Sequence, residues 1–88
     1  MAAHKVVLKP SVEKDLRSLP KSVAARIMGV IATLGDDPFP GSAIPLVGTE
    51  RLYRIRVGDY RIVYGVEKAI RQVIVHHVRH RREAYRRV

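Results

Sequence analysis

The sequence has 88 residues, a formal net charge of +9 and a pI near 10.7, enough chain for one modest core and a single domain spanning 1–88. A hydrophobic fraction of 47% excludes a disordered polyelectrolyte, and the lack of cysteine excludes disulfides and thiolate metal sites. The positive excess points to polyanions or an acidic protein partner, because charge of this kind governs encounter rate and salt dependence rather than fold. No apolar run reaches transmembrane length and the start lacks the long apolar stretch of a signal peptide, so a cytoplasmic protein without membrane contact is expected.

In chain order, His4 to Lys9 reads as a first strand that Pro10 ends. Ser11 is the expected N-cap of a first helix, with Glu13 and Asp15 in its first turn and Val12, Leu16 and Leu19 on one stripe. Pro20 separates it from a second helix carrying Val23, Ile27, Val30, Ile31 and Leu34 and ending at Gly35-Asp36-Asp37-Pro38, which gives an antiparallel helical hairpin. Asp36-Asp37 reads as turn chemistry there, not as a catalytic carboxylate pair. Prolines 38, 40 and 45 and glycines 41 and 48 mark an irregular connection with a brief extended piece at Ile44 to Val47.

Arg51 to Val66 alternates strictly around Gly58-Asp59, the signal of two antiparallel strands and a tight turn. This pairs Val57 with Tyr60, Arg56 with Arg61, Ile55 with Ile62 and Arg54 with Val63. Tyr53, Tyr60 and Tyr64 fall on the apolar side and read as core or rim aromatics. The other side sets Arg56 across from Arg61 with Arg54 diagonal. Like charges directly opposite destabilise a sheet, so an anion from outside is the expected beneficiary. A solvated face, or a patch that only receives an acidic partner, is the blander reading.

Ile70 to Val78 is β-branched enough for a third strand after the break at Glu67-Lys68-Ala69. Pairing Val66 with Ile70 sets Arg61 opposite Val75 and puts the odd-numbered residues, with His77, Arg79 and Arg81, on the arginine side. Arg82 to Val88 forms either a short terminal helix or a loose end. The expected architecture is α+β, a mostly antiparallel sheet with two helices on one face and the other free for function. His76, His77 and His80 are not expected to bind metal, since adjacent strand histidines point to opposite faces and acidic residues are scarce nearby.

The run Leu-Tyr-Arg-Ile-Arg-Val-Gly-Asp-Tyr-Arg-Ile-Val-Tyr at 52–64, a β-branched strand and then Val-Arg-His-Arg-Arg-Glu-Ala-Tyr-Arg at 78–86 resemble the RelE branch of the RelE/ParE toxin superfamily. With the preceding strand and helical hairpin, the resemblance covers nearly the whole chain. It implies a toxin of a type II toxin–antitoxin system, an endoribonuclease that enters the ribosomal A site and cuts messenger RNA without a cofactor. A cognate acidic antitoxin would neutralise it. The family mechanism is attack of a ribose 2′-hydroxyl on the adjacent phosphate, leaving a 2′,3′-cyclic phosphate and a 5′-hydroxyl.

By the same resemblance, the catalytic basic positions fall on Arg54, Arg56, Arg61 and Arg81 and the C-terminal tyrosine on Tyr85. Arg79, Arg82 and Arg86 in the basic tail would grip ribosomal RNA, contact an antitoxin, or both. Arginine forks suit the charge that builds on nonbridging oxygens. Tyr85 would stack on a base, orient the 2′-hydroxyl or donate a proton, where the bland reading is a tyrosine that packs down a terminal helix. The best-known RelE enzymes carry lysines at the positions of Arg54 and Arg56, and an arginine does not accept a proton. His80 is the first candidate for the general base, His77 the second, and Glu50 a third if it lies across the groove. The alternatives are a ParE-like inhibitor of DNA gyrase and a non-catalytic nucleic-acid-binding module.

Overall fold

The computed structural model describes residues 3–46 and 52–80. Strand β1 (Lys5–Leu8) leads into helix α1 (Pro10–Arg17) and helix α2 (Lys21–Asp36), followed by a short strand β2 (Ile44–Pro45). Then come β3 (Leu52–Val57), β4 (Tyr60–Glu67), a single 3₁₀ turn (Lys68–Ile70) and β5 (Gln72–His80). The strands form one sheet in the order β1-β5-β4-β3-β2, antiparallel except that β1 runs parallel to β5. This is the expected α+β layout.

The first helix starts earlier than its sequence suggested. Lys9 occupies the cap position and Pro10 the first turn, where its fixed φ fits and its missing N–H costs nothing, so Ser11 lies inside the helix rather than capping it. Val12, Ile27, Ile31 and Leu34 from the two helices meet Ile55, Val57, Ile62, Tyr64, Val66, Val73, Val75 and Val78 from the sheet in one buried cluster. Tyr53 and Tyr60 pack at its rim. Tyr64 is fully buried, and its hydroxyl donates to the Pro38 carbonyl at 2.8 Å, so the core keeps its one large polar handle satisfied. The helix-covered face of the sheet is thereby fixed.

The β3–β4 hairpin follows the sequence reading residue for residue, from Val57↔Tyr60 to Tyr53↔Tyr64. Gly58 takes φ +58 at the first loop position, a conformation an L side chain adopts only with strain. The β4–β5 register differs from the expected one. Glu67 pairs with Gln72 and Val66 with Val73, because residues 68–70 coil into a 3₁₀ turn closed by Arg71 at φ 50 instead of making a minimal hairpin. A bulge between Val63 and Tyr64 then shifts the ladder by one, leaving His76 as the extra residue on β5. Before the bulge the odd residues Val73 and Val75 face the core; beyond it the odd residues His77 and Arg79 face away from it and Val78 points inward.

Candidate functional site

Residues directly across a ladder share a face, with Cα atoms about 4.5–5.5 Å apart. On the face away from the helices the observed register aligns Arg56 (β3), Arg61 (β4) and Arg79 (β5) in one row across three strands. The neighbouring row is Arg54, Val63 and His77. Val63 is buried to 8% exposure yet stands outside the helix-side cluster, an apolar floor between a guanidinium and an imidazole. Arg56 is exposed, and Arg54, Arg61 and Arg79 are half-buried.

The Gly58-Asp59 turn fixes Arg56 against Arg61, and the shifted β4–β5 register brings Arg79 alongside. Three side chains of one sign then stand in line, which a sheet would not select for its own stability. Asp15 is a carboxylate that reaches the row. Arg79 Nη1 donates to Asp15 Oδ2 at 3.0 Å, a pair that ties one fork to the last turn of α1. Planar guanidinium groups in line present paired N–H donors to an anion that lies along the row, and phosphate oxygens match that fork.

Of the candidates read from the sequence, Arg54, Arg56, Arg61 and Arg79 share this face. Arg79, expected only as a continuation of the face, stands directly opposite Arg61. Arg81, Arg82, Tyr85 and Arg86 lie outside the described residues, as does Glu50. His80 is on the other side of the sheet: it pairs with Tyr60, and the two rings meet edge to face at 5.2 Å. The bulge resets side-chain parity along β5, so that beyond it His77 and Arg79 share the arginine face, as the expected parity had them, while the first-ranked histidine, His80, lies off that face.

The bulge also overturns the expectation that His76 and His77 point apart, because their rings approach to 6.5 Å. Both imidazoles are held below the ordinary value of 6.5. For His77 the causes are burial, then Arg79 and Lys9, partly offset by Asp15; for His76 they are burial, then Lys9 and His77. At neutral pH both are therefore uncharged, able to accept a proton. Tyr64, by contrast, is pushed up to about 12 by burial and by its neighbours Tyr53 and Asp37. Among the described residues, no three histidine or acidic side chains converge to hold a metal ion.

A concavity of about 350 Å³ opens at the other end of the hairpin, lined by Phe39, Tyr53, Val66, Glu67, Lys68 and Ala69. Its aromatic wall is a Phe39–Tyr53 edge contact at 5.2 Å, with the Lys68 ammonium 5.3 Å from the Phe39 ring centre. Its strand residues Tyr53 and Val66 belong to the core side of the sheet, opposite the arginine row. Among the described residues no helix is long and apolar enough to cross a membrane.

Comparison with known proteins brings this geometry into a defined context. Residues 6–85 match the family described as ParE toxin of type II toxin-antitoxin system, parDE. The chain is 34% identical over 86 residues to the candidate toxin RelE1 of Methanocaldococcus jannaschii, covering 94% of this chain and 90% of that protein. The RelE–RelB complex of Pyrococcus horikoshii OT3 contains a chain that superposes with TM-score 0.80 and 32% identity, over 90% of this chain and 96% of that one. The isolated RelE toxin of E. coli shares the fold at TM-score 0.78 and 22% identity, over 96% and 97% of the two chains.

Proposed function

Because this chain belongs to the RelE/ParE superfamily and is a toxin of a type II toxin–antitoxin system, we propose that it acts in the cytoplasm as a ribosome-dependent endoribonuclease that cuts messenger RNA in the A site. The observation that carries this reading is the row Arg56–Arg61–Arg79 with Arg54 beside it, on the sheet face opposite the buried cluster that packs on α1 and α2. Such a row has a use when a phosphodiester lies along it.

In the reaction, a ribose 2′-oxygen forms a bond to the adjacent phosphorus while the bond from phosphorus to the 5′-oxygen breaks. The 2′-hydroxyl proton leaves to an acceptor and a proton arrives on the 5′-oxygen, giving a 2′,3′-cyclic phosphate and a 5′-hydroxyl. Negative charge grows on the nonbridging oxygens during the attack, and prepositioned guanidinium groups stabilise it most where it grows most. Arg61, at the centre of the row, takes the scissile phosphate, and Arg56 and Arg54 hold it from β3. Arg81 and Tyr85 contribute as the resemblance implies, Arg81 to the charge and Tyr85 to the base or leaving oxygen. Arg79, Arg82 and Arg86 extend the grip to flanking RNA, messenger or ribosomal. No metal or cofactor takes part. A cognate antitoxin partner is supported by the RelE–RelB complexes among the similar structures, and an acidic one masks the basic face by charge.

Primer-extension mapping of messenger RNA in a translating extract tests the proposal. New ends at ribosome-occupied codons are expected when the protein is added. The match to the ParE description favours one second reading, inhibition of DNA gyrase without nuclease activity. In that case messenger RNA stays intact while supercoiling falls. Intact RNA and unchanged supercoiling leave a non-catalytic nucleic-acid-binding module.

A further inference from the structure

We propose that His77 is the proton acceptor of this toxin, taking the 2′-hydroxyl proton at the edge of the arginine row; the inference rests on the nuclease reading above. Arginines supply charge but no base. A base for this reaction has to stand on the same face as the guanidinium groups, beside the phosphate and able to be neutral at working pH. Among the described residues His77 meets all three conditions.

The register carries the argument. His77 pairs with Val63, and Val63 with Arg54, so imidazole, apolar floor and guanidinium form one row. Arg61 and Arg79 occupy the adjacent row, which puts Arg61 diagonal to His77, at roughly 7–8 Å between backbones and within reach of long side chains. A phosphate held by Arg61 thus has an imidazole on its flank. In-line displacement needs the acceptor beside the attacking oxygen and not across from it. A flank position supplies this geometry.

The β5 bulge makes the arrangement possible. Without the extra residue His76, the alternation that buries Val73 and Val75 would carry His77 to the core side and His80 to the arginines. Bulges re-aim side chains next to functional sites, and this one does so to one histidine at the expense of another.

Among the described residues, the charged and titratable groups around His77 are Arg79 and His76 on its own strand, Arg61 on β4, and Lys9 at the cap and Asp15 in the last turn of α1. Partial desolvation of this largely exposed ring, together with Arg79 and Lys9, holds the imidazole below its ordinary value while the site is empty. A dianionic transition state beside it reverses that balance and draws the proton on. Val63 beneath keeps water from one side of the ring.

The test is a single-turnover cleavage assay on programmed ribosomes with the full chain, comparing parental protein, His77→Gln and His80→Gln across about pH 5.5 to 8. The parental rate should climb with pH and level off. His77→Gln should lower the plateau roughly 10²–10³-fold, leave KM within about threefold and abolish the acid limb. Added imidazole should restore part of the rate to His77→Ala, which a purely structural role would not allow. Because His77 is exposed, these variants keep the fold, and thermal melting checks it. A His77→Gln variant that cuts within about threefold of the parent, or keeps the acid limb, overturns the assignment and leaves the nuclease reading standing. A larger loss in His80→Gln than in His77→Gln overturns it too. If the parental protein leaves the message intact, the nuclease reading falls and the assignment with it.

Discussion

Arg61 and Ile62 are neighbours in sequence and point to opposite faces of one sheet. Behind Ile62 lie two helices, and every large side chain around it is apolar or, like Tyr64, hydrogen-bonded. Around Arg61 stand Arg56 and Arg79. The covered face packs its groups into one core, and the open face gathers like charges in a row across three strands. Stability and function are thus separated by a peptide bond, and the two faces can be perturbed one at a time.

The largest expected effect is on the open face. Arg61→Ala should reduce messenger-RNA cleavage on ribosomes about 10²–10³-fold, the loss typical of one prepositioned charge-stabilising donor, while its urea midpoint stays at or above that of the parent. Equal losses of activity and stability would mean that Arg61 is structural and the contrast false. Next is its neighbour. Ile62→Ala should cost about 2–5 kcal/mol of unfolding free energy by leaving a cavity, and cleavage per folded molecule should hold when measured below its melting point.

Tyr64→Phe sharpens the covered side further. It strands the Pro38 carbonyl in the core, for a loss of about 1–3 kcal/mol in chemical denaturation. The tyrosine also sets an alkaline limit. Its hydroxyl is raised to about 12 in the fold, so the unfolded state loses its proton first and stability declines as pH climbs above the ordinary value of 10.0. The phenylalanine variant should lack that component of the decline.

A smaller and opposite effect is expected at Arg56. Arg56→Thr removes one of two charges paired directly with Arg61, so stability should rise by about 0.2–1 kcal/mol at low salt and the gain should shrink as salt is added. No gain at low salt would mean that the row is already neutralised within the chain. The smallest shift is at the two imidazoles. Below the ordinary histidine value the unfolded state binds protons that the fold resists, so stability falls as pH drops from 6.5 through the lower folded values. In a His76→Gln/His77→Gln variant, the melting temperature should vary less over that interval.

How legible this was in the sequence depended on the ladder. The β3–β4 hairpin was readable to the residue because strict alternation and Gly58-Asp59 fix parity and turn together, and with it came Arg54, Arg56 and Arg61. β5 was not. Its run from Gln72 to Val78 holds apolar residues on both parities, so periodicity cannot choose a register. The 3₁₀ turn before it and the bulge within it have no composition signal of their own. Two consequences were therefore hidden, the direct pairing of Arg79 with Arg61 and the turn of Val73 and Val75 into the core, although His77 and Arg79 do fall on the arginine side as expected. At the other end, Pro10 was read as a strand breaker when its ring also starts a helix. Local chemistry was right there, and the boundary moved by one turn element.

The parallel pairing of β1 with β5 has a consequence for how the protein is made. Lys5 meets Gln72 and Leu8 meets Val75, so the first strand to be translated has no partner until the last described strand follows it. Chains emerge N-terminus first, at about 5–20 residues per second, and such distant pairings close late. Arg79 joins Arg61 in the same closing event. A nascent toxin therefore holds only the hairpin's Arg54, Arg56 and Arg61 in place, and the three-strand row is completed when β5 docks.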